Sequence, residues 1–330
     1  MSIDMELRRL QEMGGATLLV SLPKDWTRTA SVKKGSVVSI EESRDGGLLI
    51  YPVTESGEGH FEKEIEIQYP SRFTGTGVPS EITAAYLLGY DLIKIKGQHR
   101  ISSQDREKII SSIKRLIGLE IVEEDAQSIT SQFLVDNAAV EPDKIFKRIS
   151  SIVRAMISDT IRHLTSEDPQ QFESVAQRDD EVDRLHFLLV RLIRSAVREP
   201  RAAGKFGLSS IDCLDYRVAA NSLETAGDYA VELSYSVSVM NLVNKELQKN
   251  MVEVSDLLDL IQDNAVRSFT ARDFTLAQSV FQNYPRLERV LNELKATEGV
   301  PNILHVVDTI ERIARCQRDV ADLVSPMGPA

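Results

Sequence analysis

Cysteine is almost missing from this chain. Two thiols in 330 residues, Cys213 and Cys316, stand far apart and outside any CxxC spacing, so the sequence signals neither a disulfide framework nor a cysteine zinc site. Both are expected to be core thiols. Long apolar runs are missing too: none approaches the roughly 18 to 20 residues that span a bilayer, and the start, MSIDMELRRLQEMGG, has no apolar signal core. A cytoplasmic protein with no membrane insertion is expected. An excess of positive charge is absent, because the formal net charge is -11, which argues against a surface coated all over with basic groups for nucleic acid or anionic lipid. A local basic patch stays open. Catalytic signatures are lacking as well. There is no GxxxxGK[ST] loop, nucleophile elbow or HExxH, and "GTG" at 75–77 stands without the rest of a dinucleotide fingerprint. His60, His99, His163 and His305 are scattered, which fits surface or packed histidines better than a catalytic set. No enzymatic function is expected.

The chain is 42% apolar, ample for packed cores, and its length predicts two or three domains. Three textures follow one another. Residues 5–54 read as a small β unit: "ATLLVSL" stops at Pro23, "SVVSI" alternates after Gly35, and "GLLIYPV" follows an Arg44-Asp45-Gly46-Gly47 turn. Residues 60–137 read as a compact α/β module in the order strand, helix, strand, helix, strand, strand. Its first helix is expected to be capped by Ser80, and its second by Ser102 or Ser103, ending near Gly118. Residues 140–326 are helical throughout.

Apolar positions count out the helices. Ile145, Ile149, Ile152, Met156 and Leu164 stripe the first, with Pro142 suited to its first turn. The second keeps the rhythm at Phe172, Val175, Val182, Leu189 and Ile193, but two positions on that line, Asp179 and His186, are polar. The third, from about Ser209 to Leu242, packs Ala219, Leu223, Ala226, Ala230, Leu233, Val237 and Met240. The pattern then repeats. "NSLETAGDYAVELS" from Asn221 has a partner 87 residues later in "DTIERIARCQRDVAD", and "VAQRDDEVDRL" from Val175 resembles "VFQNYPRLERV" 105 residues later. The helical part is therefore expected to be two related three-helix units, residues 140–243 and 244–326.

Asp179 and Asp183 lie four apart on one helical face, and Glu224 and Asp228 do the same on the next helix. If those helices are neighbours, four carboxylates converge, and such a cluster costs several kcal/mol per buried charge unless the acids protonate, meet cations or hold a metal. Oxygen ligands suit magnesium, manganese or iron, and His186 adds a possible nitrogen. The same spacing also serves a solvated seam paired with Arg178, Arg184 or Arg217. In the second unit Asp179 becomes Tyr284, Asp183 becomes Glu288 and Asp228 becomes Arg315, while Glu224 is kept as Glu311. An Arg315 to Glu311 salt bridge is expected there in place of a cation. Between residues 8 and 34, Arg8, Arg9, Lys24, Arg28, Lys33 and Lys34 outnumber Glu12 and Asp25, so the amino-terminal segment is net positive by four in an acidic protein. The alternative is an ordinary solvated strand face.

"RDDEVDRL" and "LETAGDYAVEL", the latter similar to the pattern LERIGDxAxxIA, resemble the PhoU proteins, regulators of phosphate uptake. The resemblance covers roughly residues 140 to 326 and implies binding of divalent or trivalent metal ions (magnesium, manganese, iron or zinc) through Asp179, Asp183, Glu224 and Asp228. "SLPKDW" and "VKKGSVVSI" resemble the AbrB/SpoVT swapped-hairpin domain, which forms intertwined dimers and binds DNA. Thr27 stands where that family usually has arginine, with Arg28 one position later. Trp26 is expected in the hairpin dimer core. The whole arrangement resembles the phosphate uptake regulators of archaea, a multidomain α+β architecture. It implies a DNA-binding transcriptional regulator of phosphate uptake and homeostasis, with the metal-binding bundle as sensor or partner-binding module. The competing expectations are an adaptor that docks on the ATPase of a phosphate transporter and uses the hairpins only to dimerise, and a metal-storage or metal-sensing protein.

Overall fold

A computed structural model describes residues 6–326 apart from 16, 43–45, 54–62, 74–76, 136–139, 164–170, 199–205, 239–244, 298–299 and 301. Gly75 and Thr76 of that GTG stretch, and His60, lie outside the described residues. The chain forms two compact units, Met1–Glu62 and Lys63–Ala330.

In the first unit, β1 (Gln11–Met13) pairs antiparallel with β2 (Thr17–Leu19), and β3 (Val38–Glu42) with β4 (Leu48–Pro52), as two separate two-stranded sheets. The short helix α1 (Lys24–Thr29) follows Pro23, whose fixed φ suits the entry to a helix. Two-stranded sheets of three to five residues have too few neighbours to bury a face. Accordingly, no described residue of this unit is buried, and Leu18, Val37, Ile40 and Leu48 are each at least 60% exposed.

The second unit opens with the expected order of elements: β5 (Glu64–Tyr69), α2 (Gly77–Leu87), β6 (Leu92–Gly97), α3 (Ser103–Lys114), β7 (Leu119–Glu124) and β8 (Ser128–Phe133). The sheet order is β5-β6-β8-β7, with β5 parallel to β6 and the other pairs antiparallel. Ser102 caps α3, its Oγ accepting from the Asp105 amide at 3.1 Å. Ser80 is not a cap, because α2 starts three residues earlier, at Gly77. Gly118 turns the chain from α3 into β7 at φ +82, where a Cβ would lie 2.6 Å from the Val135 side chain. Only glycine fits that corner.

Among the described residues the unit continues with six long helices: α4 (Pro142–His163), α5 (Gln171–Arg198), α6 (Ser210–Ser238), α7 (Lys245–Ala271), α8 (Phe274–Lys295) and α9 (Ile303–Asp322). The first three pack on one another, as do the last three, and α4 against α7 and α6 against α9 join the two sets. The expected stripes form the core among the described residues, where Ile145, Ile149, Met156, Leu223, Ala226 and Leu233 are all buried; Leu164 and Met240 lie outside them. A buried polar chain also crosses the join. Gln262 donates to the Ser150 carbonyl at 2.8 Å and accepts from Gln317 at 2.9 Å.

A buried side chain helps fasten the α/β module to the bundle. Arg191 of α5 is fully buried and donates to the carbonyls of Tyr86 and Tyr90 and to Asp91, each at 2.8 Å. Its guanidinium also lies 3.8 Å from the Phe133 ring centre. A buried cation with a carboxylate, two carbonyls and an aromatic face is well compensated.

Candidate functional site

The acid-bearing turns of α5 and α6 do become neighbours, because both helices turn small or apolar residues inward on each side of them: Val175 and Val182 on α5, Leu223 and Ala226 on α6. Gly227 sets the spacing. A Cβ there would lie 3.3 Å from Asp179 Oδ1, so the bare glycine lets this carboxylate rest against the α6 backbone. Asp179, Asp183 and Glu224 are half-buried, while Asp228 is exposed at the mouth of the seam.

The electrostatics show that the four acids share one field. Burial, then Asp228, Asp183 and Glu224, pushes the Asp179 carboxyl up to about 7. Glu224 is raised by burial and then by Asp228 and Asp183, and Asp228 is raised by burial. Asp183 is raised by burial too, against the pull of Arg115. Asp179 Oδ1 is buried with no hydrogen-bond partner among the described residues. His186, on the core line as its spacing required, is buried, and both its ring nitrogens lack partners as well. Its Nδ1 lies 3.9 Å from Glu224 Oε1, too long for a hydrogen bond, and burial followed by Arg217 pushes its pKa down to about 4. It is a neutral ring facing an acid.

Neither Arg178 nor Arg217 is the seam's ion-pair partner. Arg178 reaches back to Asp159 at 2.8 Å, and Arg217 to Asn221 at 3.5 Å. The cation is Arg115, at the carboxyl end of α3 in the α/β module, 3.1 Å from Asp183 and 3.4 Å from Asp180. No spacing rule could have nominated it, since 68 residues separate it from Asp183.

The donor chemistry fits a hard cation: oxygen ligands and an orphaned buried oxygen, with Arg115 acting on Asp183 and Arg217 on Glu224. The side-chain geometry is looser than that chemistry. Among the described residues no three His, Cys, Asp or Glu side chains are gathered closely enough to hold one metal ion. Mutual repulsion accounts for carboxylates that share a field without converging on a point.

In the second three-helix unit the equivalent seam is closed differently. Tyr284 is buried at the position of Asp179, with the Arg318 guanidinium 5.1 Å from its ring centre. Glu311 is held by Lys295 of α8 at 2.7 Å. The expected pair with Arg315 is not the one formed; Lys295 reaches Glu311 from the neighbouring helix instead.

In the amino-terminal unit, Arg8, Arg9, Lys24, Arg28, Lys33 and Lys34 are all exposed. Arg8 pairs with Glu6, and Arg28 with Asp25 at 2.7 Å. The other four have no ion-pair partner among the described residues. No helix among the described residues is long and apolar enough to cross a membrane.

Comparison with known proteins places two matches on this frame. Residues 146–237 match the family model of the PhoU domain, a span from the first turns of α4 to the end of α6 that includes all four acids. Residues 13–58 match the family model described as antidote-toxin recognition MazE, bacterial antitoxin. No curated protein matches the chain. Among solved structures, PhoU from Pseudomonas aeruginosa is 18% identical with a TM-score of 0.43, covering 56% of this chain and 93% of its own. The chain is thus similar to the PhoU domain over α4 to α6 and, ahead of it, to the MazE family over the hairpin segment.

Proposed function

We propose that this protein is a dimeric, DNA-binding regulator of phosphate uptake, not an enzyme, whose PhoU domain senses a cation or contacts a partner. One observation carries the reading: a PhoU domain with its acid seam intact stands in the same chain as a basic hairpin unit that cannot form a core alone. Exposed Leu18, Val37, Ile40 and Leu48 require another surface, and a second copy of the same hairpins supplies a self-complementary one. Dimerisation doubles the cationic patch of Arg8, Arg9, Lys24, Arg28, Lys33 and Lys34, which suits phosphate backbone contacts.

A divalent or trivalent ion (magnesium, manganese, iron or zinc) would be held by Asp179, Asp183, Glu224 and Asp228, with His186 as the nearby nitrogen. It would supply positive charge to a half-buried acidic seam. The chain's own part is to present the oxygens on adjacent helices, to hold Asp179 against Gly227, and to keep His186 neutral. Transmission to DNA then follows from population shift, in which occupancy of the seam favours one arrangement of the module and bundle.

The test is selection of genomic DNA by the full-length protein over a salt series, in chelator and in added manganese. Enrichment at low salt that is lost on replacing Arg8 and Arg9 supports the reading. No enrichment at low salt discards it. A second reading, an adaptor that docks on a phosphate transporter's ATPase and uses the hairpins only to dimerise, is favoured by the neutralisation of Arg8 and Arg28 within the chain. In that case the protein is a dimer with no DNA affinity.

A further inference from the structure

At one end of the bundle, where α4 and α6 begin and α7 and α9 end, lies a cavity of about 590 Å³. That volume falls in the range of sites for small organic molecules. Tyr216 and Phe269 line it, and with Phe146 they form an aromatic cluster whose ring centres are 4.9 to 5.9 Å apart. Leu208 and Val324 extend the apolar wall.

The charge in this wall is one-sided. Glu141, Asp143, Asp212 and Asp215 face a single cation, Arg272. Arg272 is committed to Asp212 at 2.8 Å, and Asp212 also accepts from the Ser209 amide. Glu141 pairs outward with the exposed Lys144 at 2.9 Å. Asp143 and Asp215 form no ion pair among the described residues; burial pushes both carboxyls up, at Asp143 against the pull of Lys147 and Arg272. Two acids outside any ion pair, beside apolar walls, give the cavity a definite sign: an ammonium is attracted by the carboxylates, and an anion is repelled by them.

We infer that this cavity binds a small organic cation, an ammonium group on an aromatic or branched apolar body. The apolar body fills the space against Tyr216, Phe269 and Leu208, and the ammonium reaches Asp143 and Asp215. A bare metal ion would leave most of the cavity empty. The site shares no residue with the acid seam, so it stands or falls separately from the reading of the PhoU domain.

The test uses the full-length protein in chelator and three probes of one shape and different charge: 2-phenylethylamine, 2-phenylethanol and phenylacetate, followed by calorimetry and ligand-observed NMR. Saturable binding of the amine at one site per chain is expected, at least about tenfold tighter than the alcohol, with phenylacetate excluded. Asp215→Asn, and separately Asp143→Asn, should each weaken the amine about fivefold or more while leaving the alcohol unchanged. Asp179→Asn, in the seam, should change nothing. The inference is overturned if the alcohol or phenylacetate binds as well as the amine, if both single variants bind the amine normally, or if no saturable binding occurs by roughly 10 mM.

Discussion

The two three-helix units share a frame and differ in what stands on it. Where α5 places Asp179, Asp183 and His186, α8 places Tyr284, Glu288 and Leu291; where α6 places Gly227 and Asp228, α9 places Ala314 and Arg315. The second unit buries a phenol and a leucine and ties Glu311 to Lys295. The first leaves a buried carboxylate oxygen and a buried imidazole without partners. A helical frame that folds equally well around Tyr284 and Leu291 does not require Asp179 and His186. The match to the PhoU domain model lies over that same first unit. Arg191 sharpens the contrast, since Ala296 stands at its equivalent and offers no such cation.

The largest expected effect comes from breaking that fastening. Arg191→Ala leaves Asp91 and two carbonyls buried without their donor, at a cost of about 3 to 5 kcal/mol in urea unfolding. The same substitution cannot be made in the second unit, which already has alanine there. A loss under about 1 kcal/mol would mean the module is held by other contacts.

The next effect concerns pH. In chelator, native Asp179 keeps its proton up to about 7 whereas the unfolded chain releases it near the ordinary 3.8. The native state therefore binds more protons between those values, and this group's contribution to stability falls as pH rises through the window, by about 2 kcal/mol once solvent screening is allowed for. His186 has the opposite sign. Its folded pKa of about 4 lies below the ordinary 6.5, so its contribution rises as pH goes from about 4 to 6.5. Asp179→Asn should leave the His186 slope alone, turning a nearly flat pH profile into a rising one, as followed by thermal unfolding. An unchanged profile would show that Asp179 titrates as an ordinary surface acid.

Gly227→Ala copies the second unit's Ala314. In the wild type the new methyl meets Asp179 Oδ1 at 3.3 Å and should cost about 1 kcal/mol. In an Asp179→Ala background that contact is gone, and helix propensity should make the same change stabilising by about 0.5 to 1 kcal/mol. A double-mutant cycle measures the difference, and additive values would remove Gly227 from the seam. The smallest effect is expected at Arg115. Arg115→Gln should cost little stability, because the pair is largely exposed, but should raise manganese affinity about three- to tenfold by calorimetry, since the ion no longer competes with a resident cation. Unchanged affinity would separate Arg115 from cation binding.

Much of this was legible in the chain. Period-3.6 stripes located the helices, because a helix must bury one face whatever it packs against. The break in the α5 stripe at 179 and 186 located the seam's polar positions for the same reason. The order of the α/β elements was legible from alternation and from turn residues, although the start of α2 was not. Ser80 looks like a cap in isolation, but residues from Gly77 onward are recruited into the helix, with Val78 packed into the core.

By itself the sequence determined the periodic elements, the repeat, the acid pairs and the basic amino-terminal segment, all consequences of residues close in the chain. Tertiary structure alone decided the partners. Arg115 meets Asp183 across 68 residues, Arg191 meets Asp91 across 100, and the aromatic cavity is assembled from four helix ends. Local periodicity fixes which face a residue occupies, but not which distant face lies opposite. The opposing face supplies each site here with its charge, its burial and so its chemistry.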